Sequence, residues 1–344
     1  MHLIEPLGLL RGSAACEAIQ RRLALPLAGG PAAFSLARLI GAAPGDNPGE
    51  IVPAGAVPAA FAPALARVCA APPPWAGLAG GGPWVMGILN VTPDSFSDGG
   101  RHADPGAATA AGLAMHAAGA DLVDIGGEST RPGSLPLAPD EEQRRILPVI
   151  RTLAAAGVAV SVDTRHAATM RAALAAGARV INDISALAHD AAAAGVVAAA
   201  RAPVVLMHMR GTPQTMAAHA SYADIAAEVV RELAARLAAA EAAGIARADI
   251  AVDPGIGFAK NDHGNLELLD RLAILHNLGC HVLAGVSRKR FIGHLSGEAE
   301  PALRGPGSLA AALAALERGA SILRVHDVPE TVQAVRVWRG LHPR

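Results

Sequence analysis

The sequence predicts an α/β protein whose main part is a (β/α)8 TIM barrel. Between residues 84 and 344, short apolar runs and alanine-rich stretches alternate eight times. The apolar runs are continuous, which is typical of parallel strands that are buried on both faces. Eight strand–helix units within about 250 residues is the usual size of such a barrel. A doubly wound open sheet would use similar units, but no Gly-x-Gly-x-x-Gly fingerprint follows the first strand, so the barrel is favoured.

Eight strands and the helices between them follow from this alternation. The clearest helix is predicted over Tyr222–Ala243, where aliphatic residues recur at every fourth position. Other helices are predicted to begin at Pro or Asp residues, and several to end at a glycine. The predicted strands are Val85–Val91, Leu122–Ile125, Ala159–Val162, Val180–Ile184, Val204–Met207, Ile250–Val252, Val282–Val286 and Ile322–Val325.

Residues 1–83 differ in composition from the rest of the chain. They hold 12 of the 25 prolines and 12 of the 37 glycines. Pro and Gly therefore make up about 29% of this stretch, which is in the range that favours irregular structure. The sequence predicts an irregular, Pro/Gly-rich N-terminal extension whose role it does not reveal. The run from Pro72 to Gly82 is predicted to link it to a catalytic barrel domain of residues 84–344.

Charge and cysteine content exclude several classes of protein. There are 29 basic and 30 acidic residues, so the sequence lacks the excess of positive charge that indicates a nucleic-acid partner. The sequence contains no uninterrupted run of about 18 apolar residues, so no membrane span is predicted. Cys16, Cys69 and Cys280 show no Cys-x-x-Cys spacing. They are predicted to be free thiols, as in a cytoplasmic protein.

Polar residues follow almost every predicted strand at its C-terminal end, which is where barrel enzymes carry their chemistry. Each has a structural explanation when taken alone. Asp163 would serve as a helix N-cap, and Arg288 to Arg290 would form a solvated turn. Their coincidence at one mouth of the barrel favours a functional site instead. These residues are Asn90, Arg131, Asp163, Asn182, His208, Asp253, Lys289, Arg324 and His326.

The residue types fall into two chemical groups. Asp163, Asn182, Asp253 and Lys289 offer hydrogen-bond donors and acceptors to a flat heteroaromatic ring. Arginine forks bind phosphate well, and an asparagine oxygen can bind Mg²⁺ that is shared with substrate phosphates. The phosphate group comprises Asn90, Arg131, Arg324 and His326. The residues alone predict a barrel enzyme acting on a phosphorylated small molecule and leave its identity open. Met207 is interpreted at this level as a core residue.

Two long motifs resemble signatures of the dihydropteroate synthase family of pterin-binding enzymes. They are Met86–Gly100 and Asp124–Gly133. Shorter matches follow in the family's order at Ser161–Thr164, Ile181–Ile184, Asp253–Phe258, Ser287–Gly293 and Arg324–His326. The resemblance spans about residues 84–340, and residues 1–83 lie outside it.

The resemblance implies an enzyme of folate biosynthesis. Such an enzyme joins 6-hydroxymethyl-7,8-dihydropterin diphosphate to 4-aminobenzoate and releases 7,8-dihydropteroate and pyrophosphate. By similarity, the pterin site would be formed by Asp163, Asn182, Met207, Asp253 and Lys289. The diphosphate would be held by Asn90, Arg131, Arg324 and His326, with Mg²⁺ at Asn90. The aminobenzoate pocket would be formed by Thr130, Pro132, Phe258 and Ser287.

The resemblance also implies which residues take part in the reaction. The catalytic set would be Asp98, Arg131, Asp163, Asp253 and Lys289, with the loops that carry Asp98 and Arg131 closing over the site. The family usually forms homodimers in the cytosol, so a homodimer is expected here.

Two other functions are compatible with a pterin-binding barrel. A corrinoid-linked methyltransferase would share the pterin-facing Asp and Asn residues but would not need the anion-binding Ser287–Lys289 and Arg324–His326 motifs. A catalytically silent pterin-binding paralogue should have lost loop or diphosphate residues. Asp98, Arg131 and the other site residues match the family pattern here, which favours the synthase.

Overall fold

Two β-sheets organise the chain, a small antiparallel sheet before residue 84 and a closed parallel barrel after it. The computed structural model describes residues 1–30, 32–42, 49–92, 104–128 and 137–342. The small sheet contains β1 (Leu3–Leu10), β2 (Leu25–Pro26), β3 (Ala33–Ile40) and β4 (Ile51–Pro53), accompanied by α1 (Gly12–Gln20) and α2 (Ala62–Cys69). The barrel strands are β5 (Trp84–Asn90), β6 (Leu122–Gly126), β7 (Val160–Asp163), β8 (Val180–Asp183), β9 (Val204–Met207), β10 (Ile250–Asp253), β11 (His281–Ala284) and β12 (Ile322–Val325).

The barrel strands pair in chain order and run parallel, and β12 closes the ring on β5. The predicted (β/α)8 barrel is therefore confirmed. The register sets Asn90 opposite Gly126, and Gly126 opposite Asp163. Asp163 lies in turn opposite Asn182. The ends of four neighbouring strands consequently lie side by side at the same mouth, and three of them carry a polar side chain in this row.

Helices follow the barrel strands, and most of them begin where the sequence supplies a cap or a proline. The carboxylate of Asp104 accepts a hydrogen bond from the backbone N of Gly106 at 2.8 Å, and Asp224 caps the helix predicted over Tyr222–Ala243 in the same manner. The helices are α3 (Pro105–Ala117), α4 (Pro139–Ala155), α5 (Ala167–Ala175), α6 (Ala193–Ala200), α7 (Ile225–Ala242), α8 (Asp262–Asp270), α9 (Arg290–Ser296), α10 (Gly305–Glu317) and α11 (Val328–Leu341).

A plug of aromatic and aliphatic side chains fills the N-terminal end of the barrel. Trp75 and Trp84 are almost completely buried there, with ring centroids 6.4 Å apart. They pack against residues at the beginnings of the strands, including Leu122, Val180 and Ile322. Apolar packing closes this end of the barrel. The open mouth therefore lies at the opposite end, where the polar residues are.

The prediction of an irregular extension is wrong for the described part of residues 1–83. Their strands form an antiparallel sheet in the order β1-β3-β2, with β4 paired to β3. Pro6 is tolerated because β1 lies at the sheet edge, and Gly8 adopts a left-handed φ of +60°. Phe34, together with the aliphatic residues of β1 and β3, forms a core of its own. A composition rich in Pro and Gly concealed this sheet, because these residues occupy turns and edges while the strands between them remain apolar.

The N-terminal sheet is attached to the barrel by buried contacts. Leu3 and Ile40 join the main apolar core of the barrel helices. The side chain of Asn277 accepts a hydrogen bond from Ile4 N at 3.0 Å and donates one to Ile4 O at 2.7 Å. These two hydrogen bonds satisfy the backbone of Ile4 at the free edge of β1. Glu5 is buried between Arg38 and Arg271.

The segment predicted to be a linker is also packed. Trp75 donates a hydrogen bond to the backbone O of Asp249 at 3.0 Å, and Nε2 of His281 lies 2.8 Å from Pro73 O. Residues 72–83 therefore form part of the plug instead of a loose connection. Throughout the described ranges, no helix is long and apolar enough to cross a membrane.

Candidate active site

A small cavity opens at the mouth formed by the C-terminal ends of the strands. It brings together all five residues predicted for the pterin site, including Met207, which belongs to the core and also lines the cavity. Phe258 and Arg324 line it as well. The lining is Asp163, Asn182, Ile184, Met207, Asp253, Ile256, Phe258, Gly285, Lys289 and Arg324.

Arg324 forms hydrogen bonds with two carboxylates at the base of the cavity. Its Nε donates to Asp124 Oδ2 at 2.6 Å, and a terminal nitrogen donates to Asp163 Oδ2 at 2.7 Å. The same Asp124 oxygen accepts a hydrogen bond from Asn182 Nδ2 at 3.0 Å. Arg324, which was predicted to bind the diphosphate, thus lies in the same cavity as the residues predicted for the pterin. Asp163 pairs with Arg324, while the N-cap position of α5 belongs to His166.

Asp124 is a site residue that the sequence analysis missed. It lies in the middle of β6 and is fully buried, and its Oδ1 has no hydrogen-bond partner among the described residues. The site was predicted from polar residues at the ends of strands, whereas Asp124 lies within a strand. The available signal was a single carboxylate inside an otherwise apolar strand, because burying an unpaired charge is unfavourable.

The hydrogen bond to Asp124 also fixes the amide of Asn182. Because Nδ2 of Asn182 donates to the carboxylate, its Oδ1 is directed to the other side as an acceptor. The side chain of Asn182 lines the cavity. A ligand there meets an acceptor and not a donor at this position.

Burial shifts the protonation of the charged groups around the cavity. It raises the pKa of Asp163 to about 7, against the opposing effect of the Arg324 guanidinium. Burial also raises the pKa of Asp253, although a hydrogen bond from Gly255 N at 2.6 Å opposes the shift. The pKa of Lys289 falls to about 8, mainly through burial. Groups that titrate close to neutral pH are therefore concentrated in one small cavity, which is typical of functional sites.

The loop after β10 presents Phe258 to the cavity. Lys289 Nζ lies 4.5 Å from the centroid of the Phe258 ring, within the range of a cation–π contact. Gly255 allows the chain to turn here, since its φ is +69° and a Cβ would lie only 2.0 Å from His208 O. Phe258 thus forms an apolar wall beside an ammonium group.

Ser287 and His326 form a pair beside this cavity without lining it. Ser287 Oγ lies 3.0 Å from His326 Nδ1 and accepts a hydrogen bond from His326 N at 3.2 Å. Burial, reinforced by Arg288 and Arg324, lowers the pKa of His326 to about 4. The ring is therefore neutral at pH 7. In the tautomer in which the serine hydroxyl donates to Nδ1, the ring carries its proton on Nε2.

Asn90 lies at the end of β5, beside Asp163. A Cβ at Gly126 would lie 3.8 Å from Asn90 Oδ1 and 3.6 Å from Asp163 Cβ, so the three strand ends are closely packed. Among the described residues, no group of three His, Cys, Asp or Glu side chains is arranged to hold a metal ion. Asn90 therefore offers one amide oxygen close to the carboxylate of Asp163.

Four predicted residues, Asp98, Thr130, Arg131 and Pro132, lie outside the described residues. The chain on either side of residues 129–136 is firmly anchored. Glu128 and Arg165 form an ion pair at 2.7 Å, with both side chains only 8% exposed. Glu128 also accepts a hydrogen bond from Leu137 N at 3.1 Å, which joins the two flanks directly.

Other polar residues at the mouth have structural roles. Asp183 accepts hydrogen bonds from the backbone N atoms of Ser185 and Leu187 at 2.7 and 3.0 Å, which stabilises the turn after β8. Arg288 pairs with Asp327, with Nε 3.2 Å from Oδ2. Of the basic triplet Arg288–Arg290, the structure therefore places only Lys289 in the cavity.

Comparison with known proteins identifies relatives along most of the chain. A model of the pterin binding enzyme family matches residues 86–326. The dihydropteroate synthase of Neisseria meningitidis serogroup C is 46% identical over 264 residues, which cover 75% of this chain and 93% of that protein. The dihydropteroate synthase of Escherichia coli K12 is 46% identical over 256 residues, which cover 74% of this chain and 90% of that protein.

Solved structures agree with the sequence relatives. Dihydropteroate synthase from Xanthomonas albilineans with 4-aminobenzoic acid is 52% identical, with a TM-score of 0.71, and the match covers 75% of this chain and 92% of that one. The complex of the Xanthomonas albilineans enzyme with 7,8-dihydropteroate is 50% identical, with a TM-score of 0.68 and coverage of 75% and 93%. The family match includes every residue that lines the cavity. The chain therefore belongs to the pterin binding enzyme family, among its dihydropteroate synthases.

Proposed function

We propose that the cavity at the mouth of the barrel is where 6-hydroxymethyl-7,8-dihydropterin diphosphate reacts with 4-aminobenzoate. The observation that carries the proposal is the arrangement of Asp163, Asn182, Asp253, Lys289 and Arg324 around one cavity at the strand ends. A pterin ring carries N–H groups along one edge and a carbonyl oxygen nearby. Two carboxylates and an amide oxygen accept hydrogen bonds from such an edge, and an ammonium group donates to the oxygen.

The diphosphate would extend from the cavity toward Asn90 and His326. His326 would donate from Nε2 in the tautomer that accepts from Ser287, and Arg324 would add a guanidinium contact. The single amide oxygen of Asn90 suits Mg²⁺, which takes few protein ligands when it is shared with substrate phosphates. When bound there, Mg²⁺ would supply positive charge that makes pyrophosphate a better leaving group. Arg131 would add a further phosphate contact.

The chemistry requires displacement at a methylene carbon. The C–O bond to the diphosphate breaks with its electron pair leaving on pyrophosphate, and the amine nitrogen of aminobenzoate forms the new C–N bond and then loses a proton. Positive charge develops on the pterin as the bond breaks, and Asp163 and Asp253 are placed to stabilise it electrostatically. No covalent bond to the enzyme is needed.

Phe258 and Ser287 are proposed to form the described part of the aminobenzoate pocket, together with Thr130 and Pro132. Phe258 supports this role because its ring faces the cavity beside Lys289. Asp98 and Arg131 are proposed to complete the catalytic set from the loops after β5 and β6.

A cytoplasmic homodimer is proposed as the working form. Three free cysteines, Cys16, Cys69 and Cys280, support a reducing compartment. Val337 and Leu341 on α11 are 61% and 69% exposed, so a second copy would remove apolar surface from water there.

The reaction is tested by coupling the two substrates. Purified protein is mixed with 6-hydroxymethyl-7,8-dihydropterin diphosphate, 4-aminobenzoate and Mg²⁺, and 7,8-dihydropteroate is measured by mass spectrometry. We expect product from the wild type and its loss on chelation or in Lys289→Ala. Pterin binding without product would indicate the silent paralogue, and the absence of both would contradict the proposed site.

A further inference from the structure

The chain uses arginine almost to the exclusion of lysine. Of its 29 basic residues 27 are arginine, and the two lysines are Lys260 and Lys289. Lys289 lines the cavity, but Lys260 does not. Lys260 is nevertheless only 6% exposed, in a chain that otherwise places its positive charges on arginine.

Lys260 joins the loop after β10 to the end of β9. Its Nζ donates to Phe258 O at 2.9 Å and lies 3.0 Å from His208 Nδ1. His208 Nε2 in turn lies 3.0 Å from Glu232 Oε2 on α7. One tautomer of His208 satisfies both contacts: Nδ1 accepts from the ammonium group, and Nε2–H donates to the carboxylate.

A second contact holds the next peptide of the same loop. Tyr222 donates its hydroxyl to Ala259 O at 2.9 Å, and the guanidinium of Arg210 lies 4.0 Å from the centroid of the Tyr222 ring. Arg210 is itself paired with Glu228 at 2.7 Å. Two successive backbone carbonyls, at Phe258 and Ala259, are therefore bound by side chains from the β9–α7 connection and from Lys260.

The ammonium group of Lys260 lies close to the backbone of the loop after β10. A Cβ at Gly255 would lie 3.4 Å from Lys260 Nζ. Burial lowers the pKa of Lys260 to about 7, against the opposing charge of Asp253. A guanidinium is larger and stays charged under all ordinary conditions. Both size and charge therefore distinguish lysine from arginine at this position.

We propose that Lys260 is a positioning residue that holds Phe258 in place for the aromatic amine substrate. The inference rests on the proposed function in assigning Phe258 to the aminobenzoate pocket. Lys260 acts through the backbone of Phe258, whose ring lies beside Lys289 in the cavity. Lys260 does not line the cavity itself and acts on Asp253 only through its charge, so its loss is expected to act chiefly on the second substrate.

The kinetic test compares Lys260→Met with the wild type. Methionine keeps the length and apolar stem but removes the donor to Phe258 O. We expect the KM for 4-aminobenzoate to rise about tenfold, the size of the loss of a hydrogen bond from a charged group. The Kd for 6-hydroxymethyl-7,8-dihydropterin diphosphate, measured by calorimetry, should change less than about threefold. Arg247→Met, which removes the exposed pair with Glu241, is the matched control and should change neither value.

A structural readout keeps the test independent of activity. Hydrogen exchange of the backbone amides of residues 254–262 is measured by mass spectrometry in the wild type, in Lys260→Met and in Tyr222→Phe. We expect exchange about tenfold faster in Lys260→Met and an intermediate increase in Tyr222→Phe, which removes only the contact to Ala259 O. If Lys260→Met does not fold, Tyr222→Phe should still raise the KM for 4-aminobenzoate.

The outcomes separate the inference from the proposed function. A wild type that makes no dihydropteroate contradicts the function, while faster exchange still supports the role of Lys260 in the loop. An active wild type with unchanged exchange and unchanged KM in Lys260→Met overturns the inference. Equal losses for both substrates would also overturn it, because they would show a general structural role.

Discussion

Asp124 shows how a residue without direct access to the cavity determines the chemistry of two that have it. Its Oδ2 binds both Arg324 and Asn182, at 2.6 and 3.0 Å. The carboxylate therefore orients a guanidinium and an amide in the same contact. Without it, Arg324 would keep only Asp163, and the amide of Asn182 would be free to turn its donor toward the ligand.

Asp124→Asn is expected to weaken binding of the pterin diphosphate about 30-fold, since it removes the charge that supports two hydrogen bonds. Isothermal calorimetry measures the Kd directly. Asp121→Asn is a suitable control because Asp121 accepts a hydrogen bond from Val85 N at 2.8 Å at the opposite end of the barrel. That substitution should lower the melting temperature and leave the Kd unchanged. Wild-type affinity in Asp124→Asn would show that the Arg324–Asn182 arrangement does not depend on this carboxylate.

The pH dependence follows from two groups with shifted pKa values. Asp163, with a pKa raised to about 7, must be ionised to pair with Arg324 and to stabilise positive charge. Lys289, with a pKa lowered to about 8, must be protonated to donate. We expect kcat/KM for the pterin substrate to rise with pH through about 7 and to fall through about 8. A profile that is flat between about pH 6 and 9 would rule out these two ionisations as controlling groups.

At the scale of elements, the connection between β10 and α8 depends on backbone that only glycine adopts easily. Gly255 has a φ of +69°, and a Cβ would lie 2.0 Å from His208 O. Gly255→Ala is expected to reduce the free energy of unfolding by at least about 3 kcal/mol, through strain and a backbone clash. Chemical denaturation measures this loss.

Gly157→Ala is the control for Gly255→Ala. Gly157 also has a left-handed φ, +81°, but nothing lies within 4 Å of its Cβ position. The expected loss there is only about 1 kcal/mol, from conformation alone. Equal losses at the two positions would show that contact with His208 O is unimportant.

The sequence predicted the barrel elements well because their signal is local. Continuous apolar runs marked the eight strands, and Asp104 and Pro139 marked the starts of α3 and α4. The N-terminal sheet was not predicted, because Pro6 and Gly8 interrupt the apolar run of β1 and because Pro and Gly make up much of the chain around its other strands.

The site was predicted to a similar extent and for a similar reason. Polar residues at strand ends can be recognised in a sequence, so Asp163, Asn182, Asp253 and Lys289 were predicted, and all four line one cavity. Asp124 and Lys260 were missed because their importance lies in contacts with residues distant along the chain. Arg324 was expected at the phosphate, but the structure shows its binding to two carboxylates, which no spacing rule reveals.

At the scale of the whole molecule, residues 1–83 and the barrel share buried surface. Leu3 and Ile40 enter the apolar core of the barrel helices, and Trp75 fills the N-terminal end of the barrel. The plug stabilises one end of the barrel, and the active-site mouth lies at the other. Substitutions in the plug are therefore expected to lower the free energy of unfolding before they change activity.

Trp75→Ala is expected to reduce the free energy of unfolding by about 3–5 kcal/mol, because it leaves a large cavity in the plug. The loss should appear in chemical denaturation, whereas the KM values of the folded variant should stay close to wild type. Strongly changed KM values with normal stability would contradict this separation of the two ends.

The most direct test of the site is a crystal structure of the chain with 6-hydroxymethyl-7,8-dihydropterin diphosphate. We expect the pterin ring in the cavity against Asp253, Asn182 and Lys289, with the diphosphate directed toward His326 and Asn90. Electron density for the ligand elsewhere, such as in the groove between α5 and α6 that Arg171 lines, would contradict the account. So would a pterin in the cavity with its diphosphate directed away from His326.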